Sequence, residues 1–168
     1  MDLTKLFRKE RERQRPEVFM FVDPATHSTG YAIFSPQGEL LRSGTIHAYG
    51  TSDASRLAQV ASGYALLCRN YAPSTVVVER MNRQVHHLVI ESVGAIKAGI
   101  CIASKTPPRF IYQSPNEWKA YLKRQGLDLD SAQAKLGAKT GDEAVALSMG
   151  YRHFGQLIPQ GGAKHEAA

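Results

Sequence analysis

The chain has 168 residues, of which 43% are hydrophobic and 21% are charged, an ordinary composition for one globular domain with its own core. Its two cysteines, Cys68 and Cys101, are far apart and exclude a disulfide framework and a cysteine-based zinc site. The formal net charge of +6 is compatible with a polyanionic partner such as nucleic acid, although many basic proteins bind none.

The first part of the chain predicts an arm followed by an antiparallel meander. Residues 1–16 form a basic run that ends at a proline, and we expect a flexible arm there; contact with DNA phosphates is the open alternative. Val18–Val22 is a continuous apolar run, typical of a strand buried on both faces. Two more strands are predicted at Thr29–Phe34 and Glu39–Ile46, joined by a tight turn at 35–38.

Helices and strands then alternate. The apolar residues between Leu57 and Tyr71 recur at helical spacing, and a short helix is possible within Gly126–Thr140. The other predicted elements are strands at Val76–Val78 and Arg109–Tyr112 and helices at Gln84–Ala103, Trp118–Arg124 and Gly141–His153. The sequence therefore predicts an α/β fold with a five-stranded mixed sheet, a three-strand antiparallel meander plus two parallel strands, flanked by helices. We expect the folded domain to span residues 17–155 and a flexible tail to follow at 156–168.

Two acidic residues stand directly after buried strands. Asp23 follows the first apolar run, and Glu79 follows Val76–Val78. An ionised carboxylate at the end of a buried strand needs compensation, and convergent carboxylates cannot all stay charged unless a cation sits among them. Each acid taken alone could be structural, at a turn or in a surface pair. Together they indicate a site for Mg²⁺ or Mn²⁺, which prefer oxygen ligands.

The motifs around these acids resemble those of a known family. Val22–Ala32 (VDPATHSTGYA) is similar to the D-P-G-x-x-x-T-G-(Y/W)-(A/G) opening of RuvC-type Holliday-junction resolvases, with Ala25 in place of the glycine. Their second acidic strand resembles Val76–Glu79, their small-residue helix resembles Val93–Ile100, and the acidic start of their last helix resembles Asp142–Leu147.

The resemblance implies a fold, a reaction and an assembly. The fold would be ribonuclease H-like, and the protein would be a homodimer through helix 86–103 that nicks four-way DNA junctions in recombination and repair. Two Mg²⁺ ions per active site are implied, with Mn²⁺ able to substitute. Asp23 would bridge the metals, Glu79 would bind one of them, and the products would carry 5′-phosphate and 3′-hydroxyl ends.

The third acidic position is ambiguous. The family usually has two acids three residues apart at the start of the last helix, whereas this chain has the adjacent pair Asp142 and Glu143, which point about 100° apart on a helix. Both are candidate catalytic and metal-binding residues. The alternative is a helix cap, because Thr140-x-x-Glu143 is a capping box and acids are favoured in a first helical turn without any catalytic role.

Basic residues near the motifs are candidates for DNA binding. Arg80 and Arg83 follow the second acid and could hold phosphates, and Lys119 matches a basic residue that lies near the active site in the family. Nucleases of the same fold that cut other branched DNA or RNA–DNA hybrids, and a catalytically impaired junction-binding protein, stay open. With no predicted membrane span, we expect a cytoplasmic protein of a bacterial or phage-infected cell.

Overall fold

The structure is a computed structural model that describes residues 17–81 and 86–159. The predicted basic arm at 1–16, Arg83, and residues 160–168 of the predicted tail lie outside the described residues. Among the helices of the described part, none is long and apolar enough to cross a membrane.

A five-stranded mixed sheet forms the centre of the molecule, as predicted. The strands are β1 (Phe19–Asp23), β2 (Ser28–Phe34), β3 (Leu40–His47), β4 (Thr75–Glu79) and β5 (Arg109–Gln113). Their order across the sheet is β3-β2-β1-β4-β5. The first three strands pair antiparallel, and β4 and β5 run parallel to β1. This order places β1 and β4, the two strands that end in acids, side by side.

Within the described residues, five helices flank the sheet. They are α1 (Asp53–Tyr71), α2 (His87–Ala103), α3 (Pro115–Arg124), α4 (Leu129–Leu136) and α5 (Gly141–His153). Helix α4 occupies the stretch in which the sequence predicted only a possible short helix. Its start is fixed by Asp128, whose side chain accepts a hydrogen bond from the backbone N–H of Ser131 at 2.8 Å, and Gly137 ends it in the left-handed region, at φ 65°.

Alternating side chains divide the core between the two faces of the sheet. Met20, Val22 and Val78 point to one face, where they join a buried cluster with residues of α1 and α2. Phe21 and Val77 point to the other face, against α3, α4 and α5. Because side chains alternate along a strand, the acid two residues beyond Phe21 and the acid two residues beyond Val77 share the second face.

The segment after α5 packs back onto the domain. Ile158 is buried in the same cluster as α3 and α5, and the backbone carbonyl of Gln156 accepts a hydrogen bond from the Tyr121 hydroxyl at 2.7 Å. Residues just beyond the predicted boundary at 155 therefore contribute to the core and hold α3 in place.

Candidate active site

Asp23 and Glu79 lie side by side at one edge of the sheet. They are the last residues of the parallel neighbours β1 and β4, whose pairing register brings both strand ends to the same level. Both side chains point to the face covered by α3 and α5, and the two carboxyl groups are close enough for Glu79 to raise the pKa of Asp23. The convergence predicted from the two apolar strands is therefore present in the structure.

Asp142 joins this pair from helix α5. The first turn of α5 rests directly on Gly30, which is paired with Asp23 in the sheet. A Cβ atom at Gly30 would lie 2.0 Å from the backbone oxygen of Asp142, so only glycine permits this approach. Ser28, at the start of β2, donates a hydrogen bond from its hydroxyl to the Asp142 carboxylate. Contact between α5 and β2 thus sets the distance of the third acid from the other two.

The electrostatics of Asp23 follow from this crowding. Its side chain is buried, with 9% of its surface exposed. Burial raises the pKa of the Asp23 carboxyl to about 9, and the charge of Glu79, the hydrogen bond with Glu79 and the charge of Asp142 act in the same direction. Without a cation, these influences favour the neutral, protonated form of Asp23. A bound cation would take the place of this proton.

The Glu143 carboxylate is bound to β3 and to the residue before the helix cap rather than to Asp23, Glu79 or Asp142. Its Oε1 accepts a hydrogen bond from the Ser43 hydroxyl on β3 at 2.7 Å, and its Oε2 accepts from the backbone N–H of Lys139 at 2.9 Å. Its own backbone N–H donates to the side chain of Thr140, the cap of α5, at 3.1 Å. One carboxylate oxygen thus ties the helix to β3 and the other ties it to the residue before the cap. The Thr140 side chain caps the helix as predicted, but the Glu143 side chain contacts Lys139 and not the backbone N–H of Thr140 that a capping box would use.

Trp118 is a further residue of the site, and sequence analysis missed it. Its indole Nε1 donates a hydrogen bond to Oε1 of Glu79 at 2.7 Å. The neighbouring Lys119 is exposed, with its Nζ 5.4 Å from the centroid of the Trp118 ring. Arg80 is also exposed and directly follows Glu79, whereas Arg83 lies outside the described residues. Arg80 therefore adjoins one of the acids in sequence, and Lys119 adjoins the tryptophan that contacts Glu79.

No sequence signal could have found Trp118 or Ser28. A tryptophan in a short amphipathic helix is most often a core residue, and Trp118 is indeed buried in the cluster between α3 and α5. Its contact with Glu79 spans 39 residues, and that of Ser28 with Asp142 spans 114. Both contacts depend on how the helices dock on the sheet rather than on local spacing.

The donor set at this edge has the chemistry of a divalent-metal site. Within residues 17–81 and 86–159, no three His, Cys, Asp or Glu side chains converge closely enough to enclose an ion as they stand. Asp23, Glu79 and Asp142 nevertheless supply carboxylate oxygens alone, the ligands that Mg²⁺ and Mn²⁺ prefer. The dominant influences on the pKa of Asp23 all favour its neutral form, so a cation there would relieve the repulsion among the three acids.

Comparison with known proteins gives structural likeness without a sequence match. No protein-family model and no curated protein matches the chain. Thermus thermophilus RuvC in complex with a Holliday-junction substrate aligns at a TM-score of 0.62 with 16% identity, over 82% of this chain and 92% of that one. Another T. thermophilus RuvC structure aligns at a TM-score of 0.60 with 17% identity, over 81% of this chain and 92% of that one.

A third match comes from a eukaryotic organelle. The yeast mitochondrial Holliday-junction resolvase Ydc2 aligns at a TM-score of 0.55 with 11% identity, over 92% of this chain and 88% of that one. Likeness at these identities establishes the fold. The ribonuclease H-like architecture that the sequence resemblance implied is therefore confirmed.

Proposed function

We propose that this chain, which has the fold of the RuvC-type resolvases, is a metal-dependent endonuclease that resolves four-way DNA junctions by hydrolysing phosphodiester bonds. The observation that carries the proposal is the convergence of Asp23 and Glu79 at the ends of two neighbouring parallel strands, with Asp142 close enough to raise the pKa of Asp23. A carboxyl group whose pKa is strongly raised by burial and by neighbouring acids is a recognised mark of a functional site.

The positions of the three acids suit them to different roles in metal binding. Asp23 interacts with both Glu79 and Asp142, so it is the residue suited to contact two ions, with one of the other acids completing each set. Bound Mg²⁺ or Mn²⁺ would supply an activated water for attack on the scissile phosphate and neutralise its developing charge, leaving 5′-phosphate and 3′-hydroxyl ends. Ser28 orients the Asp142 carboxylate, and the buried strand ends keep the acids close together.

For Glu143 we propose a structural role in place of metal binding. Its two carboxylate oxygens hold β3 and the residue before the helix cap against α5. We therefore propose Asp142, and not Glu143, as the third metal ligand.

DNA would approach from the side on which the basic residues are exposed. Arg80 follows Glu79, and Lys119 follows Trp118, so both can reach phosphates that flank the scissile bond. Phosphate binding by Arg83 stays a prediction from the sequence. The net charge of +6 would add a nonspecific attraction that weakens with salt.

A homodimer would form through helix α2. One face of this helix packs on α1 through Ser92, Ile96 and Ile100. The other face exposes Ile90 and Ile102, which are 61% and 83% exposed. Between them, a Cβ atom added at Gly94 would meet nothing within 4 Å. A partner helix can approach such a surface closely, and a junction with two-fold symmetry requires two active sites.

The test is cleavage of a labelled four-way junction by the wild type, Asp23→Asn and the control Asp130→Asn. Asp130 is an exposed acid of α4, away from the sheet edge. We expect Mg²⁺-dependent nicking in the wild type and the control, and a loss on the order of a hundredfold or more in Asp23→Asn. Equal rates for all three proteins would refute the active site.

Substrate choice needs separate arms of the same experiment. Rates on junction, flap, duplex and RNA–DNA hybrid distinguish a junction resolvase from a nuclease of the same fold with other substrates, since the fold does not fix the substrate. Junction binding without Mg²⁺-dependent nicking would identify a catalytically impaired binding protein instead.

A further inference from the structure

We infer that Trp118 positions Glu79 for metal binding through its indole N–H, and that its fluorescence reports the occupancy of the metal site. The inference rests on the proposed function, because it concerns how one of the three acids is presented to an ion. It adds a positioning residue that does not itself touch metal or DNA.

The hydrogen bond has a fixed direction. An indole Nε1 can only donate, so the oxygen at 2.7 Å, Oε1 of Glu79, must be its acceptor. The distance lies at the short end of the range for N–H···O bonds, as expected when the acceptor is a carboxylate. The other oxygen, Oε2, takes no part in this bond and stays available to an ion. Glu79 has rotatable bonds that would otherwise let its carboxylate adopt several orientations at the end of β4.

The donor is held rigidly by the rest of α3. The helix begins with Pro115 and a capping interaction in which the Glu117 side chain accepts from the backbone N–H of Ser114 at 3.4 Å. Glu117 also forms an ion pair with Arg152 of α5 at 2.5 Å. Trp118 is 5% exposed, so its ring is locked by packing. A rigid donor of this kind fixes a metal ligand in the way that outer hydrogen-bond partners fix ligands in known metal sites.

A purely structural role for Trp118 is the competing explanation, and Tyr121 provides the matched control. Tyr121 lies on the same helix and in the same core cluster, is similarly buried, and donates its hydroxyl proton to the carbonyl of Gln156 at 2.7 Å. Tyr121→Phe therefore removes one hydrogen bond that anchors α3 without touching Glu79. Any effect of loosening the helix appears in both variants, whereas the loss of the Glu79 contact appears only in Trp118→Phe.

The first measurement is Mn²⁺ binding by titration calorimetry, without DNA, in the wild type, Trp118→Phe and Tyr121→Phe. We expect Trp118→Phe to weaken Mn²⁺ binding on the order of tenfold and Tyr121→Phe to stay within about twofold of the wild type. Equal affinities in Trp118→Phe and the wild type, or equal losses in the two variants, would overturn the inference. A wild type that binds no Mn²⁺ would overturn the proposed function along with it.

Fluorescence and an isostere complete the test. Trp118 is the only tryptophan in the chain, so selective excitation reports on this one ring. We expect Mg²⁺ to change the emission of the wild type but not that of Asp23→Asn; emission unchanged by Mg²⁺ in a wild type that binds Mn²⁺ would overturn the reporter role. If Trp118→Phe fails to fold, the positioning role is tested instead by placing benzothienylalanine at position 118. It replaces the N–H with sulfur at nearly constant shape, and wild-type Mn²⁺ affinity in that protein would overturn the positioning role.

Discussion

Replacing Asp23 with asparagine should stabilise the metal-free protein while abolishing its activity. The carboxyl group of an unfolded chain ionises near pH 3.8, whereas burial and the neighbouring acids raise the pKa of Asp23 to about 9 in the folded protein. Between these pH values the folded state binds a proton that the unfolded state does not, so stability falls as the pH rises. Asparagine is neutral in both states and can still donate a hydrogen bond to Glu79, so it avoids this loss.

The size of the effect follows from the pKa difference. Each pH unit above 3.8 lowers the free energy of unfolding by about 1.4 kcal/mol. At pH 7 the full penalty is therefore about 4 kcal/mol. Because the asparagine side chain still leaves a polar group buried, we expect Asp23→Asn to raise the free energy of unfolding by about half of this penalty. For a domain of this length, a gain of about 2 kcal/mol raises Tm by about 4 to 8 °C.

The assay is thermal unfolding in EDTA from pH 5 to pH 9 for the wild type, Asp23→Asn and the exposed control Asp130→Asn. We expect the Tm advantage of Asp23→Asn to grow with pH and to be absent in the control. Saturating Mg²⁺ should reverse the order, because an ion at a hundred times its Kd stabilises the wild type by about 2.7 kcal/mol and has little to bind in the variant. An Asp23→Asn protein that is less stable than the wild type at pH 8 in EDTA would refute the reasoning.

Three further predictions concern the helices that surround the site. Asp142→Asn should lower junction cleavage on the order of a hundredfold without lowering Tm in EDTA, because it removes one of the charges that crowd Asp23. Glu143→Leu, in contrast, should keep wild-type Mn²⁺ affinity and lose about 1 to 3 kcal/mol in denaturant unfolding, because the backbone N–H of Lys139 and the hydroxyl of Ser43 would both lose their acceptor. The reverse pattern would make Glu143 the metal ligand. Gly30→Ala should destabilise the fold by about 3 kcal/mol in the same unfolding assay, because the alanine methyl group would collide with the backbone of α5. Wild-type stability in this variant would contradict the close contact between Gly30 and α5. Ile102→Asp should convert a dimer into a monomer in sedimentation without lowering Tm by more than a few degrees, and an unchanged sedimentation coefficient would exclude this face as the interface.

Local patterns in the sequence were enough to predict the sheet and the proximity of Asp23 and Glu79 at its edge. The strands that end at Asp23 and Glu79 could be predicted without knowledge of the tertiary structure. A continuous apolar run indicates a strand buried on both faces, and such a run is visible in neighbouring residues. The choice between Asp142 and Glu143 could not be made in this way. It depends on the rotation of α5 about its axis, which the contact of its first turn with Gly30 sets across more than a hundred residues of chain.

The docking of α5 also bears on when the site can exist. Asp23 and Glu79 belong to the first half of the chain, whereas Asp142 lies on a helix whose residues from Glu143 to Tyr151 are all buried. That helix can dock only after the ribosome has released it, so a nascent chain presents two acids on an incomplete sheet and has no third. Any activity that requires all three acids is therefore delayed until translation has passed the last helix. The nuclease proposed above would in this way be inactive while it is still being made.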